Sequence, residues 1–124
     1  MADRITKEQL PHVINREDLP FGGISHKFEG YRYGEVGVSF FLVESPPGRG
    51  AVLHTHPYEE IFLTLEGEAT FTVGDATIEV SAGQIVVAPA GVPHKFVNSG
   101  TGPLRQVDIH PSERIQQENI PEGS

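Results

Sequence analysis

Glycine and proline cut this chain into pieces too short for long helices: 14 Gly and 10 Pro fall among its 124 residues. Between them lie runs that are mostly apolar, β-branched and aromatic, the residues that suit a pleated, half-buried surface. The spacing predicts strands over 31–33, 35–43, 51–56, 60–65, 68–73, 76–80, 85–88, 94–98 and 104–109. Val73-Gly74-Asp75-Ala76 and Leu65-Glu66-Gly67-Glu68 read as tight hairpins, because glycine accepts the positive φ such turns require. Many short antiparallel strands close into a barrel or a double sheet, which removes the adhesive edges of an open one. The expected fold class is all-β.

The two ends read differently. Residues 1–30 form an expected N-terminal irregular arm, in which a short helix over 5–14 is interrupted by Pro11, and Phe21, Ile24 and Phe28 follow no clear period. The arm packs across the barrel or onto a second subunit. Residues 31–112 are the barrel domain, and 113–124 a polar tail expected to fray.

Charge and composition remove whole classes of function. Nine Lys+Arg against 17 Asp+Glu give a formal charge of -8, which opposes a phosphate backbone or an anionic membrane surface. No segment approaches the ~20 continuous apolar residues of a membrane helix, and residues 1–10 are too charged for a secretory signal. The expectation is a soluble, cytoplasmic protein that takes a small-molecule substrate, with no nucleic acid and no membrane as partner. Without cysteine, any metal or acid–base chemistry falls to His, Glu and Asp.

Two blocks carry that chemistry. In the first, Gly48 is followed after five residues by His54, then His56, after three more by Glu60, and after six by Gly67. Side chains at i and i+2 of a strand share a face, so His54 and His56 converge while Thr55 points away. Two converging imidazoles suit a divalent transition metal, although a His-x-His pair on a solvated face gives the same spacing. The turn through Pro57 returns the chain, so that the carboxylate of Glu60, rather than Glu59, comes back to the histidine face. In the second block, Gly83 leads after five residues to Pro89, then Gly91, His94 and Asn98. Two prolines and a glycine stiffen the turn before His94, which limits the entropy a ligand loses on coordination. Asn98 is read as serving the next loop, 99–102.

These blocks resemble the paired motifs of the cupin superfamily at every signature position: Gly48, His54, His56, Glu60 and Gly67, then Gly83, Pro89, Gly91, His94 and Asn98. The short stretch between them, 68–82, is similar to that of small single-domain cupins. The resemblance implies a small β-barrel of jelly-roll topology (a double-stranded β-helix). It implies one divalent transition metal, Fe, Mn, Ni, Co, Cu or Zn, held by His54, His56, Glu60 and His94. It also implies a homodimer.

Strand parity places Val52, Phe62, Thr64 and Phe96 inside with the ligands as a substrate pocket, with either Phe40 and Val38 or Phe41 and Val43 as a further wall. Such a pocket suits a small ligand with an apolar body and one or two chelating oxygens: an enol, a diketone or a phenol. The leading expectation is an oxygenase. Similarity to flavonol-type dioxygenases of the superfamily implies that Glu60 also acts as the catalytic base. The alternatives are a non-catalytic small-molecule-binding or sensing protein, and a metal-dependent isomerase, lyase or cyclase without redox change. On the last strand Gln106, Asp108 and His110 share one parity and Arg105 the other; Arg105 reads as a carboxylate anchor or, preferred, as part of a solvated face, His26, Arg32 and Arg49 as solvated, His12 as exposed, and Tyr58 as a turn residue that caps the pocket or packs on the surface.

Overall fold

A computed structural model describes residues 4–122. Eleven strands run through them: β1 (Phe21–Gly22), β2 (Ser25–Phe28), β3 (Ser39–Ser45), β4 (Gly50–Thr55), β5 (Glu60–Glu66), β6 (Glu68–Val73), β7 (Ala76–Ser81), β8 (Ile85–Ala88), β9 (His94–Asn98), β10 (Leu104–His110) and β11 (Glu118–Asn119). They form two antiparallel sheets, ordered β1-β2-β3-β10-β5-β8 and β11-β4-β9-β6-β7. The all-β class expected from the glycine and proline punctuation is what forms, as the two-sheet jelly roll that the family resemblance implied. Among the described residues, no helix is long and apolar enough to cross a membrane.

The sheets face each other over a core of Val43, Phe62, Ala69, Phe71, Val80, Val86, Ala88, Phe96 and Leu104. Phe62 and Phe71 meet edge to face at 4.8 Å between ring centres, and Phe71 and Phe96 lie 5.5 Å apart. Both hairpin turns take the expected shape. Gly74 has φ +57° in the two-residue link that pairs Val73 with Ala76. At Gly67, φ is +91° and a Cβ would stand 2.3 Å from the carbonyl oxygen of Pro103, so chirality and space both demand glycine.

Three expectations are corrected. The strand at 31–33 is a 3-10 turn, Gly30–Arg32, and the strand expected from residue 35 begins only at Ser39. Gly34 and Glu35 both hold positive φ, +104° and +56°, which takes the chain out of the extended region. At the N-terminus a 3-10 turn, Lys7–Gln9, stands where a short helix over 5–14 was expected. Parts of both ends are drawn into the sheets: β2 pairs with β3, where Phe28 stacks on Phe40 at 4.5 Å, and β11 of the tail pairs with β4. Residues 1–3 of the arm, and Gly123 and Ser124 of the tail, lie outside the described residues.

Candidate metal centre

Strands β4, β5 and β9 bring the two sequence blocks to one point. His54 of β4 and His94 of β9 are register partners, so both point to the same face. His56 follows two residues after His54, and Glu60 opens β5. All four side chains are buried, and one donor atom from each lies within 4.8 Å of the others. Oε1 of Glu60 stands 2.9 Å from Nε2 of His56, 2.9 Å from Nε2 of His94 and 3.8 Å from Nε2 of His54. Glu59 is exposed.

The far side of each ring settles what these nitrogens are. Nδ1 of His54 lies 2.6 Å from the carbonyl oxygen of Val52, Nδ1 of His56 lies 2.6 Å from that of Gln116, and Nδ1 of His94 lies 3.0 Å from that of Val92. A carbonyl only accepts, so each Nδ1 carries a proton and, in the neutral form that metal binding requires, each ring turns an Nε2 lone pair inward. Three lone pairs then converge on a carboxylate oxygen that also only accepts. Nε2 of His56 is buried with no hydrogen-bond partner. A cation at the centre resolves the conflict, and imidazole anchored through a backbone carbonyl with one carboxylate is a donor set for a divalent transition metal. The residues present therefore fit the group the sequence implied.

Burial pushes the Glu60 carboxyl up; without a cation, N–H donors from the rings of His110, His54, His56 and His94 outweigh burial and hold it well below the usual carboxylate range, a part that a cation takes over once the three ligand rings turn lone pairs inward. It is a carboxylate throughout ordinary conditions.

Beside the cluster opens a cavity of about 150 Å³, with an apolar wall that includes Ile24, Phe41, Val43, Ala51 and Phe96 and a polar end formed by His54, Glu60, Asp108 and His110. Of the alternatives for the additional wall, Phe41 and Val43 face in. Phe96 lines the cavity, Phe62 is buried with its ring 5.6 Å from that of His94, and Thr64 is buried opposite Gln106. Val52 departs from the parity expectation and is 59 % exposed. From Ala51 to His54 strand β4 advances three residues while its partner advances two, from Phe96 to His94. That bulge inserts one residue and turns Val52 outward.

Strand β10 holds what the sequence reading missed. Gln106, Asp108 and His110 are all buried, whereas Arg105 lies on the surface near Glu44 and Glu66. Nε2 of His110 is 3.0 Å from Oε2 of Glu60, and its Nδ1 is 2.8 Å from the hydroxyl of Tyr58. Tyr58 itself stacks on His56 with planes 7° apart. Burial, then the charge of Glu60, push the Asp108 carboxyl well above the usual range, and a hydrogen bond from Gln106 at 2.7 Å opposes this only in part. The signal lay in the alternation of β10: Arg105, Val107 and Ile109 lie on one parity, facing out, while Gln106, Asp108 and His110 lie on the other and face in behind Leu104. Asn98 serves the loop, as expected, donating to the carbonyls of Ser45 and Gly102 and accepting from the N–H of Gly100.

Comparison with known proteins agrees with this geometry. Residues 41–110 match the family model described as Cupin domain. The chain is 27% identical over 116 residues to mannose-1-phosphate guanylyltransferase 2 of Escherichia coli O157:H7, an alignment covering 92% of this chain and 23% of that protein. It is 38% identical over 72 residues to an uncharacterized protein of Methanocaldococcus jannaschii, covering 56% of this chain and 58% of the other. Similar solved structures include oxalate decarboxylase of Bacillus subtilis, in a study of its Mn(II) centres, with TM-score 0.75 and 22% identity over 84% of this chain and 30% of that one. A formate complex of the Lactobacillus farciminis oxalate decarboxylase gives TM-score 0.74 and 23% identity, over 84% and 34%. The chain thus spans less than two thirds of each of these proteins.

Proposed function

The chain belongs to the cupin domain family, and from that premise we propose that it is a metal-dependent oxygenase acting on a small chelating organic molecule of the enol, diketone or phenol class. One observation carries the reading: three inward Nε2 lone pairs and Oε1 of Glu60 meet at the polar end of a cavity whose wall is apolar. His54, His56, Glu60 and His94 would hold the cation. A bound divalent ion supplies Lewis acidity toward an oxygen of the ligand and, if redox-active, a place for dioxygen chemistry.

The chain's own residues do the rest. Phe41, Val43 and Phe96 receive the apolar body of the ligand and keep water from it. Asp108, holding its proton, offers an O–H to a ligand oxygen. Glu60 takes the proton of an enol or phenol; held below its usual range it is a weak base, so that role begins only as it loosens from the imidazoles. Among the described residues, the cavity lining includes no lysine or arginine, which favours a neutral or singly charged ligand over a small dianion.

A second reading, a metal-dependent lyase without net oxidation, is favoured by the fold shared with the Mn(II)-containing oxalate decarboxylase. Oxygen uptake by the metal-loaded protein, over a panel of enols, diketones and phenols, separates the two, because only an oxygenase consumes dioxygen. Consumption that is abolished in Glu60→Gln despite retained metal supports the proposal. Full turnover by that variant removes the base role, and binding without turnover of any substrate leaves a sensing protein.

We also infer a homodimer through the outer face of the larger sheet. Ile61, Leu65, Ile85 and Val87 are 38%, 47%, 61% and 57% exposed there, on adjacent strands β5 and β8. An apolar face of this kind marks a contact surface.

A further inference from the structure

If the cluster holds a divalent cation, as proposed above, the second oxygen of Glu60 needs an owner. Oε1 faces three imidazoles, while Oε2 meets His110, whose ring nitrogens stand outside the four-residue donor group. His110 is in turn held by Tyr58, and the hydroxyl of Tyr58 lies 3.1 Å from the backbone N of Gln116.

The proton directions along this row are fixed by its ends. A backbone N–H only donates, so the oxygen of Tyr58 accepts from Gln116. An ionised carboxylate only accepts, so the Nε2 of His110 that faces it at 3.0 Å is the proton-bearing nitrogen, although it stands off hydrogen-bond alignment. Its Nδ1 then accepts from the Tyr58 hydroxyl. His110 is thus the inverse of the three ligand histidines, which carry their proton on Nδ1 and turn a lone pair inward.

We infer that His110 and Tyr58, anchored by the Gln116 peptide, are positioning residues that hold Oε2 of Glu60 on the His110 side and so keep Oε1 turned toward the three imidazoles that would hold the cation with it. The same residue serves the centre twice, since the carbonyl of Gln116 accepts from His56 Nδ1 at 2.6 Å. Gln116 lies beyond residues 41–110, in the tail that is tied down by β11 on β4 and by Ile120 N–H on the carbonyl of Leu53 at 2.9 Å. The tail is therefore part of how the centre is built.

The test is Mn(II) affinity, by calorimetric titration of the chelator-stripped full chain. Tyr58→Phe and His110→Phe each weaken binding about 10–100-fold, the usual range for partners behind a ligand. Tyr58→Phe and His110→Phe combined lose no more than His110→Phe alone, because the tyrosine acts through the histidine. His110→Gln, which retains an N–H donor, recovers part of the loss. A merely structural role predicts instead that the losses multiply and track the melting temperatures of the metal-free variants. Wild-type affinity in Tyr58→Phe and His110→Phe, or multiplying losses, overturns the inference while leaving the metal-enzyme reading intact. A wild-type chain that binds no Mn(II) overturns both.

Discussion

Asn in place of Asp108 is expected to stabilise the metal-free protein by an amount that grows with pH. Asp108 is 4% exposed, on the inward row of β10 between Gln106 and His110, and its carboxyl sits well above the usual range because of burial and then the charge of Glu60. In the unfolded chain it titrates at about 3.9. Between that value and its raised folded value the native state binds one proton more than the unfolded state, so stability falls as pH rises, by about 1.4 kcal/mol per pH unit. Glu60 works in the opposite sense: its folded value is lowered, so its contribution is complete above an unfolded value of about 4.3 and is lost only on acidification. Above about pH 5 Glu60 therefore adds no slope.

The amide introduced by Asp108→Asn keeps the volume and the oxygen that accepts from Gln106 but has nothing to ionise. Above about pH 5 the difference in unfolding free energy should move in favour of Asp108→Asn by about 1.4 kcal/mol per pH unit, levelling off once the pH passes the folded value. With an unfolding entropy of about 2.1 cal/mol/K per residue, a chain of 124 residues shifts its melting temperature by roughly 5 °C for each such pH unit. Urea unfolding of both proteins in chelator, at several pH values, reads it directly. Parallel stability curves, or a difference that shrinks as pH rises, would refute a carboxyl kept protonated by its surroundings.

Other perturbations have simpler outcomes. Phe71→Ala empties a fully buried ring site between the sheets and is expected to cost about 3–5 kcal/mol in chemical denaturation. Gly50→Ala places a Cβ 1.9 Å from the carbonyl oxygen of Phe96, so β4 and β9 must separate next to the ligands; both the melting temperature and Mn(II) affinity should fall. Arg105→Ala removes only exposed contacts of 3.7 and 3.8 Å to Glu44 and Glu66, and urea unfolding should change by less than about 1 kcal/mol.

The readability of this chain follows the distance over which each constraint acts. Hairpins at Gly67 and Gly74, and the paired blocks around His54 and His94, are written in neighbouring residues, and the sequence placed them. β2 and β11 were not legible because neither alternates: Ser-His-Lys-Phe and Glu-Asn become strands only where β3 and β4 offer an edge. Val52 was misplaced by a bulge, which shifts parity without leaving a glycine or proline to mark it. The buried row of β10 was given no role for a chemical reason. Polar residues are expected outside, and here a row of Gln106, Asp108 and His110 is held inside by a polar centre, with Val107 and Ile109 turned the other way.

The central claim is that three imidazoles and one carboxylate oxygen share a single cation. Titrating the chelator-stripped chain with Mn(II) or Zn(II) and counting bound metal tests it most directly. The account predicts one ion per chain in the wild type, bound so much more weakly in His56→Ala and His94→Ala that none survives gel filtration. Equal retention in the wild type and both variants, or no ion in any of them, would contradict it.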